Sequence, residues 1–276
     1  MPGNHSLRRV SLGKGFRTAL TALGASVLLT ACSSRGGTPE PVTRQGHDVV
    51  DLWRILLAAG VALGVFVTAL ILWCVVRYRR PRTAEPGALP KQTSANVPLE
   101  VLYTVIPLVI VAVLFGLTLR TQHRVNHRSP SPDLGVEVTG FQWGWRFRYP
   151  VQQVTVVGDV NNRPTLVLPV GATIRLRLVA SDVIHSFFVP AFLVKKDMIP
   201  GVDNAIEVRP TRTGRYPGVC AEFCGLEHWR MMFDVEVVTP EQFQAFVAQQ
   251  QQQPAGPGPD ATGPGEAGRQ AKLAVP

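Results

Sequence analysis

Residues 218–237 read GVCAEFCGLEHWRMMFDVEV. Two cysteines, a histidine and two methionines fall within the thirteen residues Cys220–Met232. Pro217-Gly218 marks a turn ahead of the cluster, and MFDVEVV behind it is a short strand-like run. The cluster is therefore a loop at one end of a β domain. A loop with the spacing Cys220-x3-Cys224-x3-His228-x2-Met231 can curl so that both sulfurs and the imidazole converge. A further ligand has to come from another loop at the same end, and His185 in SDVIHSFFVP follows the strand TIRLRLVAS.

Working outward, the whole stretch from Val136 has the same character: VEVTGFQWGWRFRY, PTLVLPVGATIRLRLVAS, AIEVRPTRTGRY and MFDVEVV alternate with period two between turns. Short strands at this spacing, with no comparable helical period, predict an antiparallel sandwich or barrel of about 100 residues. Thr239-Pro240-Glu241-Gln242 then predicts a short helix, with Thr239 as N-cap, Pro240 in the first turn and Gln242 closing a capping box. After the glutamine run, the tail to Pro276 is rich in Gly, Pro and Ala and is expected to be disordered.

The net charge of +9 invites a nucleic-acid reading until it is located. Residues 130–240 hold 11 Lys/Arg and 11 Asp/Glu, so the β domain is neutral. The excess lies at the N-terminus and around residues 77–91, which speaks for membrane topology and against nucleic acid. Residues 55–76 and 101–119 are uncharged and long enough to span a bilayer, with Pro107 expected to kink the second. The connector 77–100 carries Arg77, Arg79, Arg80, Arg82 and Lys91 against Glu85 and Glu100. It is expected on the cytoplasmic side, which puts both termini outside.

At the start, Arg8, Arg9, Lys14 and Arg17 precede an apolar run of signal-peptide length. It ends in Leu29-Thr30-Ala31-Cys32, which resembles a bacterial lipobox. That resemblance implies a signal peptide over 1–31, acylation of Cys32, and an extracytoplasmic segment over 32–54. Outside the cytoplasm a Cys220–Cys224 disulfide is feasible, as is zinc held by two thiolates and two imidazoles. A thioether beside them favours copper, because zinc has little use for methionine.

The segment CAEFCGLEHWRM resembles, nearly position for position, the CuA loop of subunit II of the heme-copper cytochrome c oxidases. DVIHSFFVP and KKDMIPG resemble the loop that carries the other histidine of that site. The likeness covers most of residues 45–240, including the helix pair. It implies a membrane-anchored all-β protein: a two-helix transmembrane hairpin, then an extracytoplasmic cupredoxin-like Greek-key sandwich or barrel over 130–240, with a short helix and tail over 241–276. It also implies a dinuclear copper centre bridged by Cys220 and Cys224, with His185 and His228 each on one copper. Met231 and the backbone carbonyl of Glu222 would be weak outer ligands, Met231 being preferred to Met232 by the His-x2-Met spacing.

Further roles follow from the same resemblance. Gln142-Trp143-Gly144-Trp145 is similar to a Q-W-x-W segment whose first tryptophan receives electrons from cytochrome c. Gly144 stands where that family usually has tyrosine, so less aromatic surface is expected there. The Glu222 carboxylate, with Asp197 nearby, would help to hold magnesium or manganese at the interface with subunit I. Glu100 would mark the mouth of a proton channel, although an acid at a helix N-terminus also suits the helix dipole. The implied partners are subunit I, the other oxidase subunits, and a cytochrome c that is either soluble or a tethered domain; a neutral β domain leaves the tethered form open. A soluble nitrous-oxide reductase would lack the two helices, a copper carrier needs no Trp143-x-Trp145, and a quinol oxidase subunit lacks the copper ligands.

Overall fold

The computed structural model describes residues 37–79 and 92–252. Residues 1–36, which include Cys32, connector residues 80–91 and the tail from 253 lie outside the described residues. The chain divides into two units after Asn126.

The first unit holds helices α1 (Arg44–Arg77) and α2 (Val97–Asn126). Thr43 caps α1, its hydroxyl accepting from the Gly46 N–H at 3.0 Å. Asn96 does the same for α2, accepting from the Leu99 N–H, while Glu100 Oε1 accepts from the Asn96 N–H at 3.0 Å. At 34 and 30 residues both helices outrun the uncharged spans. Helical hydrogen bonding does not stop where apolarity does, and the charged extensions pair with each other, Arg124 meeting Asp48 at 3.4 Å. The second helix runs through Pro107 as one element. The apolar stretches of both helices, including Trp73 and the free thiol of Cys74, are exposed, and by length and composition both can cross a membrane.

The second unit is a cupredoxin-like sandwich of two five-stranded sheets. Its strands are β1 (Leu134–Phe141), β2 (Gly144–Tyr149), β3 (Val154–Asp159), β4 (Thr165–Pro169), β5 (Ile174–Ala180), β6 (His185–Val189), β7 (Val194–Met198), β8 (Asn204–Val208), β9 (Gly214–Cys220) and β10 (Met232–Val238). One sheet has the order β3-β2-β1-β5-β8 and the other β4-β10-β9-β6-β7. The sandwich is not purely antiparallel as expected: β1 pairs with β5, and β4 with β10, in parallel. Side-chain alternation has the same period in either pairing, so the sequence pattern could not reveal the crossover connections.

Alternation builds the core. In GWRFRY of β2, Trp145, Phe147 and Tyr149 are buried while Arg146 and Arg148 point outward. In β5, Ile174, Leu176 and Leu178 are buried, as are Leu166, Leu168, Phe187 and Phe233 of the facing sheet. Phe187 stacks on Phe233 at 5.0 Å, and Trp145 tilts against Phe233 at 4.7 Å. Tyr149 fastens the sheets together, its hydroxyl donating to the Val167 carbonyl at 3.0 Å and accepting from the Val167 N–H at 2.9 Å. Burial pushes that phenol's pKa up.

Helix α3 (Pro240–Gln252) follows β10 directly. Its predicted capping box is formed, Thr239 Oγ accepting from the Gln242 N–H and Gln242 Oε1 from the Thr239 N–H. Phe243 and Val247 are buried, and Phe243 and Phe246 pack on Tyr149, so this helix is part of the sandwich unit.

Candidate metal centre

Three strand ends deliver the cluster. His185 opens β6, Cys220 closes β9, and Met232 opens β10, with Cys224, His228 and Met231 on the intervening loop. Strand pairing sets their distance: β6 and β9 place Phe187 opposite Cys220, and β9 and β10 place Val219 opposite Met232. The loop closes on itself where the Cys220 N–H donates to the Met231 carbonyl at 3.0 Å and the buried Trp145 indole donates to the same carbonyl at 3.4 Å.

The donors form a row. His185 Nδ1 lies 3.9 Å from Cys220 Sγ, the two sulfurs are 3.8 Å apart, and His228 Nδ1 is 3.6 Å from Cys224 Sγ. Met231 Sδ stands 3.7 Å from Cys224 Sγ, and the Glu222 backbone carbonyl accepts from Cys220 Sγ at 3.3 Å. Ligand atoms of His185, Cys220 and Cys224 all fall within 4.8 Å of one another, and all three residues are buried. A disulfide needs its sulfurs about 2.05 Å apart, so the thiols are free.

The electrostatics ask for a cation. Burial opposes ionisation of both thiols, and at 3.8 Å a charge on one sulfur opposes a charge on the other. Burial is the largest influence on Cys220 and pushes its thiol up, but hydrogen bonds with His185, the backbone of Glu222 and Ser186, and His228 together hold it below the usual thiol range; Cys224 is pushed up by burial and by its neighbour. Two adjacent thiolates, two imidazole nitrogens and a thioether are a soft set that fits copper.

The sequence had not pointed to the groups that hold this row. The Asp182 carboxylate accepts from His185 Nε2–H at 2.7 Å, which leaves Nδ1 to face Cys220. Burial works against that carboxylate's ionisation, but bonds from His185, Val183 and Gln142 hold it below the usual range. Gly140 lets β1 approach the ring, since a Cβ there would lie 3.2 Å from His185. The nearest sequence signal was an acid three residues before the histidine.

The remaining expected residues are distributed as follows. The Trp143 indole N–H donates to the Cys224 carbonyl at 3.2 Å, and the Gln142 side-chain amide to the same oxygen at 2.7 Å. Gly144 leaves no aromatic gap: a Cβ there would meet the Gly158 carbonyl at 2.4 Å and the Phe141 ring at 2.7 Å, so Phe141 supplies the ring. The Glu222 carboxylate turns away from the sulfurs to Lys195 Nζ at 3.3 Å, which also meets Asp197 at 3.5 Å. Glu100 stands in the first turn of α2, outside the β domain, bonded to Asn96. Around the loop, Phe223, Leu226 and Trp229 expose more than 70% of their surface, and the Phe223 ring meets the His228 ring edge-on at 5.7 Å.

A family profile described as "Cytochrome C oxidase subunit II, periplasmic domain" matches residues 134–238. A probable cytochrome c oxidase subunit 2 of Streptomyces avermitilis is 40% identical over 273 residues, spanning 83% of this chain and 85% of the relative. The cytochrome c oxidase subunit 2 of Mycobacterium tuberculosis is 33% identical over 301 residues, spanning 86% and 82%. The solved periplasmic domain of subunit II of cytochrome oxidase from Bradyrhizobium japonicum is 33% identical and covers 45% of this chain and 97% of its own, with a TM-score of 0.41.

Proposed function

This chain belongs to the cytochrome c oxidase subunit II family, and on that premise we propose that it is the subunit at which electrons from cytochrome c enter the oxidase, through a dinuclear CuA centre, on their way to heme in subunit I. The observation that carries the reading is the row of donors: each of two sulfurs 3.8 Å apart is flanked by its own imidazole. A single ion would draw four ligands around one point, whereas two sulfurs shared between two flanking nitrogens suit two ions. Cys220 and Cys224 would bridge the metals, His185 and His228 would each bind one, and Met231 and the Glu222 carbonyl would complete the set. When bound, the copper pair supplies a one-electron centre with its charge spread over both metals.

What the chain itself contributes is rigidity and a path. His185 is fully buried and Met231 is 1% exposed, so water is kept from these donors and little has to move there when charge changes. Trp143 is half-buried and hydrogen-bonded to the backbone of Cys224, so its indole connects the domain surface to a bridging residue. A magnesium or manganese ion between Glu222 and Asp197 would first have to displace Lys195. Glu100 as a proton-channel mouth would have to yield its bond to the Asn96 N–H.

The chain is anchored by its helix pair. By the positive-inside rule the connector's arginines favour a cytoplasmic connector with the β domain and both termini outside, and Cys32, outside the described residues, is the proposed site of a second, lipid anchor. The full-length chain in detergent, loaded with copper, should bind two coppers and give the split multi-line electron resonance of a coupled pair. A single blue-copper signal, or a colourless zinc protein, would sink the reading. Cys224→Ser should abolish the coupled signal while a zinc-type site with three remaining ligands would still hold metal.

A further inference from the structure

The geometry points to Asp182 as a positioning residue that joins the copper ligand His185 to the segment bearing Trp143. Its two oxygens are both engaged. Oδ1 accepts from His185 Nε2–H and from the Val183 N–H, each at 2.7 Å, and Oδ2 accepts from the Gln142 N–H at 2.7 Å. Gln142 and Trp143 in turn bond the Cys224 carbonyl through their side chains. The result is a closed circuit: Asp182 to His185, His185 beside Cys220, Cys220 beside Cys224, and Cys224 through Gln142 back to Asp182. The surroundings leave His185 no alternative. Its ring is fully buried against Gly140, whose carbonyl is held by the N–H and hydroxyl of Ser181.

Two consequences follow from ordinary ligand chemistry, given that His185 binds copper as proposed above. A carboxylate on the far nitrogen fixes the ring's tautomer and makes its near nitrogen a stronger donor, which favours the oxidised metal. The same carboxylate fixes the backbone of Gln142, so the position of the Trp143 indole and the basicity of the ligand depend on one side chain. His228 differs: it is half-buried on the loop, with the Phe223 ring beside it. The two imidazoles are therefore inequivalent, in burial and in the carboxylate that holds the far nitrogen of His185.

The test uses the full-length, copper-loaded chain. Asp182→Asn keeps the size of the side chain but loses the charge and one acceptor. Its copper affinity is expected to fall about 10- to 100-fold, its reduction potential to rise, and its uptake of electrons from reduced cytochrome c to slow. A variant with unchanged potential and affinity would overturn the proposal. Should that variant fold poorly, as read from near-UV circular dichroism, the wild-type chain answers the question alone. Pulsed electron resonance after transfer to deuterated water should find one imidazole N–H that exchanges slowly and one that exchanges fast; equal rates would overturn it. Failure of the underlying copper reading is distinguishable, because then the wild-type chain gives no coupled copper signal at all.

Discussion

Met231 and Met232 are identical neighbours in opposite surroundings. The Met231 thioether lies among the sulfurs, 3.7 Å from Cys224, while the Met232 sulfur accepts from Arg163 at 3.1 Å on the outer side of β10. Residues that adjoin at the start of a strand face opposite ways, so both cannot reach the cluster. Met231→Leu retains both thiols and both imidazoles; unchanged copper stoichiometry with a shifted reduction potential is the expected result. Met232→Leu should change neither, and a potential that moves as far in Met232→Leu would show the assignment to be reversed. His-x2-Met spacing alone already favoured Met231. Phe141, by contrast, could not be seen to fill the space beside Gly144, because that contact is made across a turn whose shape no local pattern reports.

On the sheet's outer face, Glu137 of β1 lies in register with Arg148 of β2 on one side and Arg177 of β5 on the other. It pairs with them at 3.0 and 2.9 Å, and its hydrogen bonds with Arg148 and then Arg177 hold its carboxyl below the usual carboxylate range against a partial desolvation. The arginines are half exposed, so solvent screens the pairing. A carboxylate with a depressed folded pKa stabilises the fold above its unfolded pKa, and that contribution is lost as pH falls through the folded value. Glu137→Gln should therefore cost about 0.5–1 kcal/mol at neutral pH, with the difference vanishing in strong acid. Urea midpoints of the whole chain, followed by near-UV circular dichroism at both pH values, check this; a difference that persisted in acid would assign it to packing. The charges of this ladder were visible in the alternating sequence, but their partners were not. Pairing β1 with β5 in parallel brings Arg177 to Glu137 across 40 residues of chain.

Across the whole molecule, charge is segregated. The β domain balances 11 basic against 11 acidic residues over 130–240, while the basic excess sits at the N-terminus and in the connector. The most exposed large side chains at the metal loop are apolar, namely Phe223, Leu226 and Trp229. Long-range steering of a basic donor needs a net acidic field, which such a surface does not provide. Between ~0.01 and ~0.15 M salt, where the Debye length falls from about 30 to about 8 Å, the rate at which cytochrome c reduces the intact oxidase should change less than about threefold. A fall of tenfold or more would reveal an acidic docking face and a freely diffusing donor. Two helices long and apolar enough to span a membrane, a β domain of alternating strands, the helix cap at Thr239 and the residues of the donor set were all legible from order and spacing, because each depends on neighbours a few positions apart. The antiparallel expectation held except where β1 pairs with β5 and β4 with β10, and Asp182, Gly140 and Lys195 were passed over, because each acts on a group brought to it by the fold. Composition and local period thus fixed which chemistry is available and on which kind of element. Only the packed sandwich, by crossing β1 to β5 and β4 to β10 and so setting three strand ends side by side, decided that two sulfurs and two imidazoles stand in one row.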